Sequence, residues 1–329
     1  SAGQSAHLWV LIDTVFGNAD SQRILMHYGN ITAIDKSDPE AVFDTANGFA
    51  GVWHFPARDT FGSATALNLE GIDSLSAPVT GISGGGRWFD GESSFVTIPD
   101  DTVLEPQQLT VSCWFKRSGV QGNWSKMVTK GRTNSPFASY TLEFRDTGDL
   151  TGFQTAIDDG GSGYYVYENA DNGVADSSWA CIAGTFQADP SAGSGTVRLF
   201  LNGLQQGDDI VCSDADILYY EETDYPLIFG AQKDGNAAFR GSLDEVRISR
   251  VVRSDAWLRL CHENLADNGN LLSRENPDLD DWQYSRTIYL NTSENGADID
   301  SIVYGFPVLI TLEGDDFPTE ARNDGSDIR

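Results

Sequence analysis

A pair of carboxylates is the feature of this sequence that comes nearest to catalytic chemistry. Hydrolysis of a glycosidic bond uses two carboxyl groups on either side of the bond, roughly 5 to 10 Å apart. Alternate residues of a strand share a face and can supply such a pair. Asp244 and Glu245 are adjacent instead, so we expect their side chains on opposite faces. The sequence therefore predicts no glycosidase site, and we interpret the chain as non-enzymatic.

Other catalytic patterns are not evident. The four histidines are scattered along the chain: His7, His27, His54 and His262. A histidine such as His54, next to a tryptophan in a predicted strand, is more typical of a structural role than of a catalytic one. Gly84-Gly85-Gly86 is not followed by Lys-Ser or Lys-Thr and opens no helix, so it does not predict a phosphate loop.

The cysteines leave two interpretations open. They are far apart and form no Cys-x-x-Cys pair, which argues against a zinc site: Cys113, Cys181, Cys212 and Cys261. In an oxidising compartment they allow up to two disulfides, in three alternative pairings. Cys113 and Cys181 lie within predicted strands and are equally suited to be small buried thiols.

Aromatic residues provide the candidates for carbohydrate binding, because an exposed ring offers a sugar a flat apolar platform. Trp124 lies in a polar stretch, and Tyr164, Tyr165 and Tyr167 fall within one predicted strand. Since strand side chains alternate, Tyr165 and Tyr167 share a face. We therefore predict these four residues as glycan-binding residues, with packing in the core as the alternative.

Acidic residues dominate the charge of the chain. Asp and Glu total 49 against 21 Lys and Arg, and the formal net charge is -28. Such a surface repels the phosphates of nucleic acids and anionic lipids, so nucleic-acid binding is excluded. It suits calcium, which prefers carboxylate oxygens, as well as plain solvation. No apolar run approaches the roughly 20 residues that span a bilayer, so no membrane span is predicted.

Short alternating runs between turn clusters predict an all-β chain. Residues 109–115 have apolar side chains at the odd positions, the pattern of a half-buried strand. Asn202-Gly203 after residues 197–201 predicts a hairpin, because both residues tolerate positive φ. One helix is predicted over residues 255–265 with Ser254 as its N-cap. A polar connection at residues 266–281 separates it from further strands.

Seven segments, taken in order, resemble the laminin-G/concanavalin A-like family of jelly rolls. They are residues 51–55, 88–91, 95–99, 109–115, 179–186, 199–203 and 241–248. Each is a weak signal alone, whereas their order and spacing together are specific. The resemblance implies a concanavalin A-like jelly-roll sandwich over residues 49–265, closed by the helix.

The same resemblance implies a calcium site. Members of the family often hold calcium where the loops after the first strand meet the Asp-Glu strand. Asp244 is the matching residue of that strand, and Asp59 and Asp73 lie in the loops and are candidates to complete an oxygen cage. The alternative for each carboxylate is a salt link or a turn cap.

The two ends resemble halves of a small bacterial surface module, the domain of unknown function 2341, in reversed order. Its opening half resembles residues 282–288, 306–310 and 325–329, and its closing half resembles residues 8–10 and 24–30. Each end offers two or three strands, whose unpaired edges are not stable alone. The residues predicted to pair in assembly are Leu8, Trp9, Val10, Ile24, Met26, Ile288, Val308 and Ile310.

Three explanations account for the unpaired strands at the two ends of the chain. The ends meet within one chain as a permuted second β-sandwich, or the C-terminal strands of one copy complete the N-terminal strands of the next. The second arrangement is strand complementation, which propagates head to tail into a filament. The third explanation is that the chain is a window cut from a longer tandem array.

The sequence predicts four segments, which are two half-modules at residues 1–48 and 282–329, the jelly roll at 49–265 and the linker at 266–281. The predicted protein is non-enzymatic and secreted or on the cell surface, and it assembles with copies of itself into a filament or surface layer. The alternative is a calcium-dependent, lectin-like adhesin that binds glycans or other surface proteins. A glycoside hydrolase is the third and least favoured hypothesis.

Overall fold

The computed structural model describes residues 5–30, 32–55, 62–65, 67, 69–131, 138–145, 150–158, 164–171, 174–219, 225–266, 270–274, 284–318, 321–322 and 327–328. The chain divides into two compact units. Phe43–Leu258 forms one, here called the central unit. Ser1–Val42 and Arg259–Arg329 form the other, here called the terminal unit.

Strands make up most of the secondary structure. In chain order they are β1 (Ser5–Val15), β2 (Gln22–Tyr28), β3 (Phe49–Trp53), β4 (Ile72–Ser74), β5 (Ala77–Thr80), β6 (Gly85–Asp90), β7 (Phe95–Ile98), β8 (Leu109–Arg117), β9 (Lys126–Gly131), β10 (Ala138–Arg145), β11 (Leu150–Ile157), β12 (Tyr164–Asp171), β13 (Trp179–Asp189), β14 (Ser194–Leu201), β15 (Leu204–Cys212), β16 (Leu227–Phe229), β17 (Arg240–Ser249), β18 (Leu272–Arg274), β19 (Tyr284–Leu290) and β20 (Val303–Glu313). The helices are α1 (Pro39–Val42) and α2 (Asp255–Leu265), and the second has the predicted bounds. In the described part of the chain no helix is long and apolar enough to cross a membrane.

The central unit is a sandwich of two antiparallel sheets, as predicted. One sheet has the order β12-β11-β10-β9-β16-β7-β4. The other has the order β15-β14-β13-β8-β17-β6-β5, with β3 also beside β17. Their inner faces share one hydrophobic core, in which the rings of Phe115 from β8 and Phe144 from β10 pack edge to face at 5.6 Å. The burial of these apolar faces stabilises the sandwich.

Local sequence signals account for the strands on either side of this core. The odd residues of β8 are fully buried, from Leu109 through Val111 and Cys113 to Phe115. The hairpin between β14 and β15 turns at Asn202 and Gly203, whose φ angles are 51° and 75°. The strand and the hairpin are confirmed, because alternation and turn chemistry act over a few residues. The expected half-burial is not, since Thr110 and Trp114 at even positions are only 3% and 4% exposed.

The four cysteines all lie in the described part of the chain, and none of them is in a disulfide. Cys113, Cys181 and Cys212 are buried. Burial, and then the neighbouring Cys181, raise the pKa of the Cys113 thiol well above its usual value. The structure thus gives the buried-thiol interpretation and not the disulfide one, and Cys113 is protonated and unreactive at neutral pH.

The terminal unit joins the two ends of one chain. β1 pairs antiparallel with β20, and β2 pairs antiparallel with β19, which also pairs with β18. The predicted pairing residues meet in this register, which matches Leu8 with Ile310, Trp9 with Leu309, Val10 with Val308, Ile24 with Ile288 and Met26 with Arg286. The structure therefore has the single-chain arrangement among the three considered.

Polar and aromatic contacts reinforce this joining of the ends. The buried Asp327 carboxylate accepts hydrogen bonds from the backbone N–H of Gly29 at 3.0 Å and of Arg322 at 2.8 Å. The rings of Tyr28 and Tyr284 stack at 5.6 Å. Two segments that are more than 250 residues apart in sequence, by numbering, therefore complete one small β module.

Candidate functional site

One cavity of the central unit is built by four neighbouring strands. β12, β11, β10 and β9 each contribute one side chain to its wall, in the order Tyr165, Gln154, Arg145 and Lys126. The loops before β9 and after β16 complete the lining with Asn123, Trp124, Gln232 and Ala237. The volume is about 630 Å³, within the usual range for small-ligand sites.

The alternation of β10 explains why charged side chains reach this cavity. Tyr140, Leu142 and Phe144 belong to the hydrophobic core. Glu143 and Arg145, at the alternating positions, therefore face the other side of the sheet. Glu143 is nevertheless fully buried and Arg145 is 9% exposed. The cavity thus has a charged and largely dehydrated floor.

Trp124 lines the cavity and lies on a tight turn. The backbone N–H and the hydroxyl of Ser125 both donate to the Gly122 carbonyl, at 3.3 and 3.0 Å. Trp124 has a φ of 70°, a conformation that costs a residue other than glycine roughly 1–2 kcal/mol. Trp124 is 42% exposed although tryptophan is a large hydrophobic residue. The turn therefore presents this ring to solvent at a cost in backbone strain.

Two cations hold the indole ring in place. The Arg145 guanidinium carbon lies 4.1 Å from the ring centre, and the Lys126 ammonium lies 5.8 Å from it. Lys126 also donates to the buried Glu143 carboxylate. Arg145 Nη1 is 3.4 Å from Glu143 Oε1 and 3.4 Å from Gln154 Oε1. These contacts combine cation–π attraction with ion pairing around the ring.

The structure brings together two of the four predicted glycan-binding residues. Trp124 and Tyr165 line this cavity. Tyr164 and Tyr167 lie in β12, opposite Ile157 and Gln154, and their side chains are outside the described part of the structure.

Sequence reasoning missed the polar wall of the cavity, which consists of Asn123, Lys126, Arg145, Gln154 and Gln232. A signal was present in residues 140–145, where polar side chains alternate with the core residues of one strand. That alternation indicates a polar face, but it does not show which loops and strands surround the face.

The predicted calcium ligand Asp244 lies where β17 changes neighbour. Residues 240–243 pair with β6, and residues 246–249 pair with β3. The fully buried Asp244 carboxylate accepts backbone N–H groups from Ile82 at 2.9 Å, Ser83 at 3.0 Å and Glu245 at 2.7 Å. It therefore fixes the hairpin turn between β5 and β6. Residues 81–85 have the Gly-x-Ser-x-Gly spacing, but they form this turn and not a strand-to-helix elbow.

Glu245 has separate partners and lies in a β-bulge of β17 between Asp244 and Arg247. The register against β8 shifts between Asp244 and Arg247, and Glu245 has a φ of 50°. Its carboxylate lies 2.7 Å from His54 Nδ1 and accepts a hydrogen bond from Arg247 Nη2 at 2.8 Å. The two acidic residues therefore hold different elements, a turn and the end of β3.

Burial and bonding partners shift the pKa values of the two carboxyl groups in opposite directions. Burial first, and then the Glu245 charge, raise the pKa of Asp244 well above its usual value. Burial alone would also raise the pKa of Glu245, but the charges of His54 and Arg247 and their hydrogen bonds lower it below 4.5. Glu245 is thus the ionised member of the pair.

Asp73, the second predicted calcium ligand, binds protein donors of its own. Asp73 accepts hydrogen bonds from Arg87 Nη2 at 2.8 Å and from the Ser76 hydroxyl at 2.5 Å. Asp59 lies outside the described residues. Among the described residues there is no group of three or more His, Cys, Asp or Glu side chains that would hold a metal ion. The carboxylates of Asp244 and Asp73 bind protein donors, and calcium binding stays a prediction.

Comparison with known proteins gives one family and a set of related folds. The family model Laminin_G_3, described as the concanavalin A-like lectin/glucanases superfamily, matches residues 90–259. No curated protein matches the sequence.

Two solved structures illustrate the similarity of fold. The binding domain of Paraclostridial Mosquitocidal Protein 1 aligns with a TM-score of 0.51 at 11% identity, over 72% of this chain and 62% of that one. The receptor-binding domain of the botulinum neurotoxin C/D mosaic serotype aligns with a TM-score of 0.50 at 12% identity, over 72% of this chain and 54% of that one. This chain therefore spans less than two thirds of either domain, and the likeness is one of fold.

Proposed function

Because this chain belongs to the concanavalin A-like lectin/glucanases superfamily, we propose that it binds carbohydrate in the cavity at Trp124. The observation that carries the proposal is a tryptophan that is 42% exposed and held over a cavity with a polar wall. A sugar ring has an apolar face and an edge of hydroxyl groups, which suits an aromatic platform beside polar side chains.

The amide groups around the ring supply the directional part of such a site. Asn123, Gln154 and Gln232 line the cavity, and each amide both donates and accepts hydrogen bonds. Hydroxyl groups do the same, so these side chains match the edge of a sugar ring. Specificity among sugars would then depend on the positions of these amides, and affinity on the ring.

We propose binding without catalysis. Hydrolysis would need two carboxyl groups on either side of the bound glycosidic linkage. The described lining of the cavity consists of rings, amides, cations and an alanine. The adjacent acids at the bulge are sealed in the protein, since Asp244 is 0% exposed and Glu245 is 1% exposed. We propose that the protein acts as a secreted or cell-surface, lectin-like adhesin module.

Trp124→Ala is expected to weaken binding to the best sugar of a glycan array by roughly 10- to 100-fold, because a well-packed aromatic contact contributes about 1.5–3 kcal/mol. Titration calorimetry measures the change. Tyr304→Ala is the control, since Tyr304 is 66% exposed and lies in the terminal unit. Equal loss in both variants, or no sugar bound by the unmodified protein, would contradict the proposal. Repeating the array with calcium and with a chelator tests the predicted calcium dependence.

Self-assembly is the second candidate function, and the pairing of the terminal strands supports it. In the described residues, β1 and β2 take their strand partners from β20 and β19 at the other end of the chain. Exchange of these strands between copies would keep every pair and join copies head to tail. The resemblance of both ends to one bacterial surface module also favours a filament or surface layer.

Electron microscopy of the purified protein tests assembly directly. Ordered filaments that lengthen with protein concentration are the expected result if the terminal strands exchange between copies. Particles of single-chain size at every concentration would contradict assembly. The result does not depend on the sugar site, so the two candidate functions are tested separately.

A further inference from the structure

A lysine of the central unit occupies a position where the sheet pattern calls for an apolar side chain. Lys130 of β9 lies directly opposite Tyr140 of β10 on one side and Leu227 of β16 on the other. Tyr140 and Leu227 belong to the hydrophobic core. Residues that are directly opposite each other share a face of the sheet. Lys130 therefore lies on the core-facing side, and it is 0% exposed.

Two carboxylates contact this buried amine. The Lys130 ammonium donates to Asp100 Oδ1 and lies 3.2 Å from Glu105 Oε1. It also donates to the backbone carbonyl of Tyr225. The side chains of Asp100 and Glu105 are 29% and 21% exposed, so water reaches the two carboxylates but not the lysine.

The order of the strands brings the three side chains together. Asp100 follows β7, and Glu105 follows the short 3-10 helix Thr102–Leu104. Lys130 is in β9, and β16 lies between β7 and β9 in the sheet. A covalent bond from Lys130 to Asp100 would therefore span β16 and tie the chain on either side of it.

Tyrosine residues surround the same place. The Lys130 ammonium lies 4.8 Å from the ring centre of Tyr225, which is fully buried. Burial first, and then Tyr225, Glu105 and Asp100, raise the pKa of the Tyr140 hydroxyl well above its usual value. The two carboxylates thus act on a ring of the core. In such surroundings burial penalises both members of an ion pair and favours their neutral forms.

We propose that Lys130 and Asp100 join in an isopeptide bond, an amide between the two side chains, with Glu105 as the catalytic residue that moves the protons. The structure shows the three reacting groups in contact. This is a modification site within the central unit, and it does not depend on the proposed carbohydrate site.

The reaction condenses an amine with a carboxyl group and releases one water. Lys130 first passes a proton to Asp100, which gives a neutral amine and a carboxylic acid. The nitrogen then attacks Asp100 Cγ to form the C–N bond, and the Glu105 carboxylate takes a proton from this nitrogen. Glu105 returns the proton to the hydroxyl group that leaves Cγ, so the C–O bond breaks and water departs. Glu105 ends as a carboxylate, as it began.

Burial and proximity favour this condensation. In water the two ions are hydrated and meet only by diffusion. Here the ammonium of Lys130 has exchanged water for protein groups, and the fold holds the nitrogen against the carboxyl group that it attacks. The second carboxylate, Glu105, supplies a proton acceptor next to the same nitrogen.

Lys126 provides an internal comparison in the same strand. It is buried and donates to the buried Glu143 carboxylate. In the described part of the structure its ammonium is paired with this one carboxylate. No second carboxylate is therefore placed to accept a proton from an attacking nitrogen, and we expect no bond between Lys126 and Glu143.

Mass spectrometry of the unmodified protein tests the bond directly. We expect the denatured protein to be lighter than its sequence by one water. Trypsin cleaves after unmodified lysine and arginine, so it should release residues 88–116 joined to residues 127–132. Fragment ions should place the link at Asp100 and Lys130. Separate peptides 88–116 and 127–130, or a loss of water within one peptide, would overturn the proposal.

Variants assign the roles of the three side chains. Lys130→Arg keeps the positive charge and is expected to give no linked peptide. Glu105→Gln is expected to slow formation of the linked peptide by roughly 100-fold or more, the usual effect of losing a general base. Asp101→Asn is the control, because the Asp101 carboxylate caps the 3-10 helix through the Val103 N–H and should leave the link unchanged.

Circular dichroism shows whether each variant keeps the fold, and the peptide map of the unmodified protein does not depend on the variants. A link that forms at the full rate in Glu105→Gln would overturn the catalytic role of Glu105. A link from Lys130 to Glu105 would overturn the assignment of Asp100. Sugar binding by a protein without the link would refute this inference and leave the proposed function in place.

Discussion

Glu245→Gln is expected to lower the free energy of unfolding of the central unit by about 3–5 kcal/mol, the usual effect of removing one member of a buried ion pair. Glu245 is 1% exposed, and Arg247 is 6% exposed. The substitution keeps the shape of the side chain and removes its charge, so the buried Arg247 guanidinium loses its ion pair with Glu245. His54, at 2.7 Å from the same carboxylate, loses its charged partner too.

Asp209→Asn provides the matched control for this prediction. The Arg198–Asp209 pair has similar geometry, at 2.7 Å, but its side chains are 28% and 40% exposed. Exposed pairs contribute about 0–1 kcal/mol. Urea titration followed by tryptophan fluorescence measures both variants, because Trp53 and Trp114 are buried in the central unit. A loss in Glu245→Gln no larger than in Asp209→Asn would show that the bulge does not depend on this charge.

The effect of Glu245→Gln is also expected to depend on pH. The pKa of Glu245 is lowered from 4.5 in the folded protein. Its stabilising effect is therefore fully present above pH 4.5 and is lost as the pH falls through the lower folded value. The pKa of Asp244 is raised, so that group contributes in the opposite sense, with stability falling as the pH rises. The difference between the unmodified protein and Glu245→Gln should thus shrink in acid.

The same bulge shows where sequence reasoning fails. Alternation along a regular strand predicts that adjacent acids face opposite sides, but it does not identify the partners of either acid. The structure breaks that regularity at Glu245, whose φ is 50°, and the neighbours of β17 change at this point. The bulge depends on β3 and β6, which are more than 150 residues earlier by numbering. No local sequence pattern around Asp244 identifies β3 and β6 as its neighbours.

Only part of the candidate site was predictable, because strands that are distant in sequence bring some of its residues together. Trp124 and Tyr165 were identified from residue type and neighbourhood, because aromatic rings in polar surroundings are visible in the sequence. Arg145 and Gln154 were not, because their roles come from the order of β9 to β12 in one sheet. Strand existence is a local property, whereas the set of side chains around a cavity is fixed by long-range pairing.

The terminal strands show a different limit of prediction from sequence. The same residue pairs form whether the two paired strands belong to one chain or to two. Leu8 opposite Ile310 is such a pair. Oxidation of the double variant Leu8→Cys with Ile310→Cys in dilute solution is expected to give a disulfide within one chain, since the structure pairs these strands in cis and facing residues of antiparallel strands lie at disulfide distance. Non-reducing electrophoresis should then show a single band of monomer size.

The single variant Leu8→Cys controls for the natural thiols, of which Cys261 is partly exposed and the other three are buried. A ladder of covalent multimers in dilute solution would contradict the single-chain closure of the terminal unit.

Incubation at high protein concentration before oxidation tests the proposed assembly by the same bond. Closure in cis is favoured by the high effective concentration of two segments on one chain, so exchange between copies requires crowding. A ladder that appears only in the concentrated sample is the expected result for a filament that grows by strand exchange, whereas monomer bands in both samples would contradict the proposed assembly.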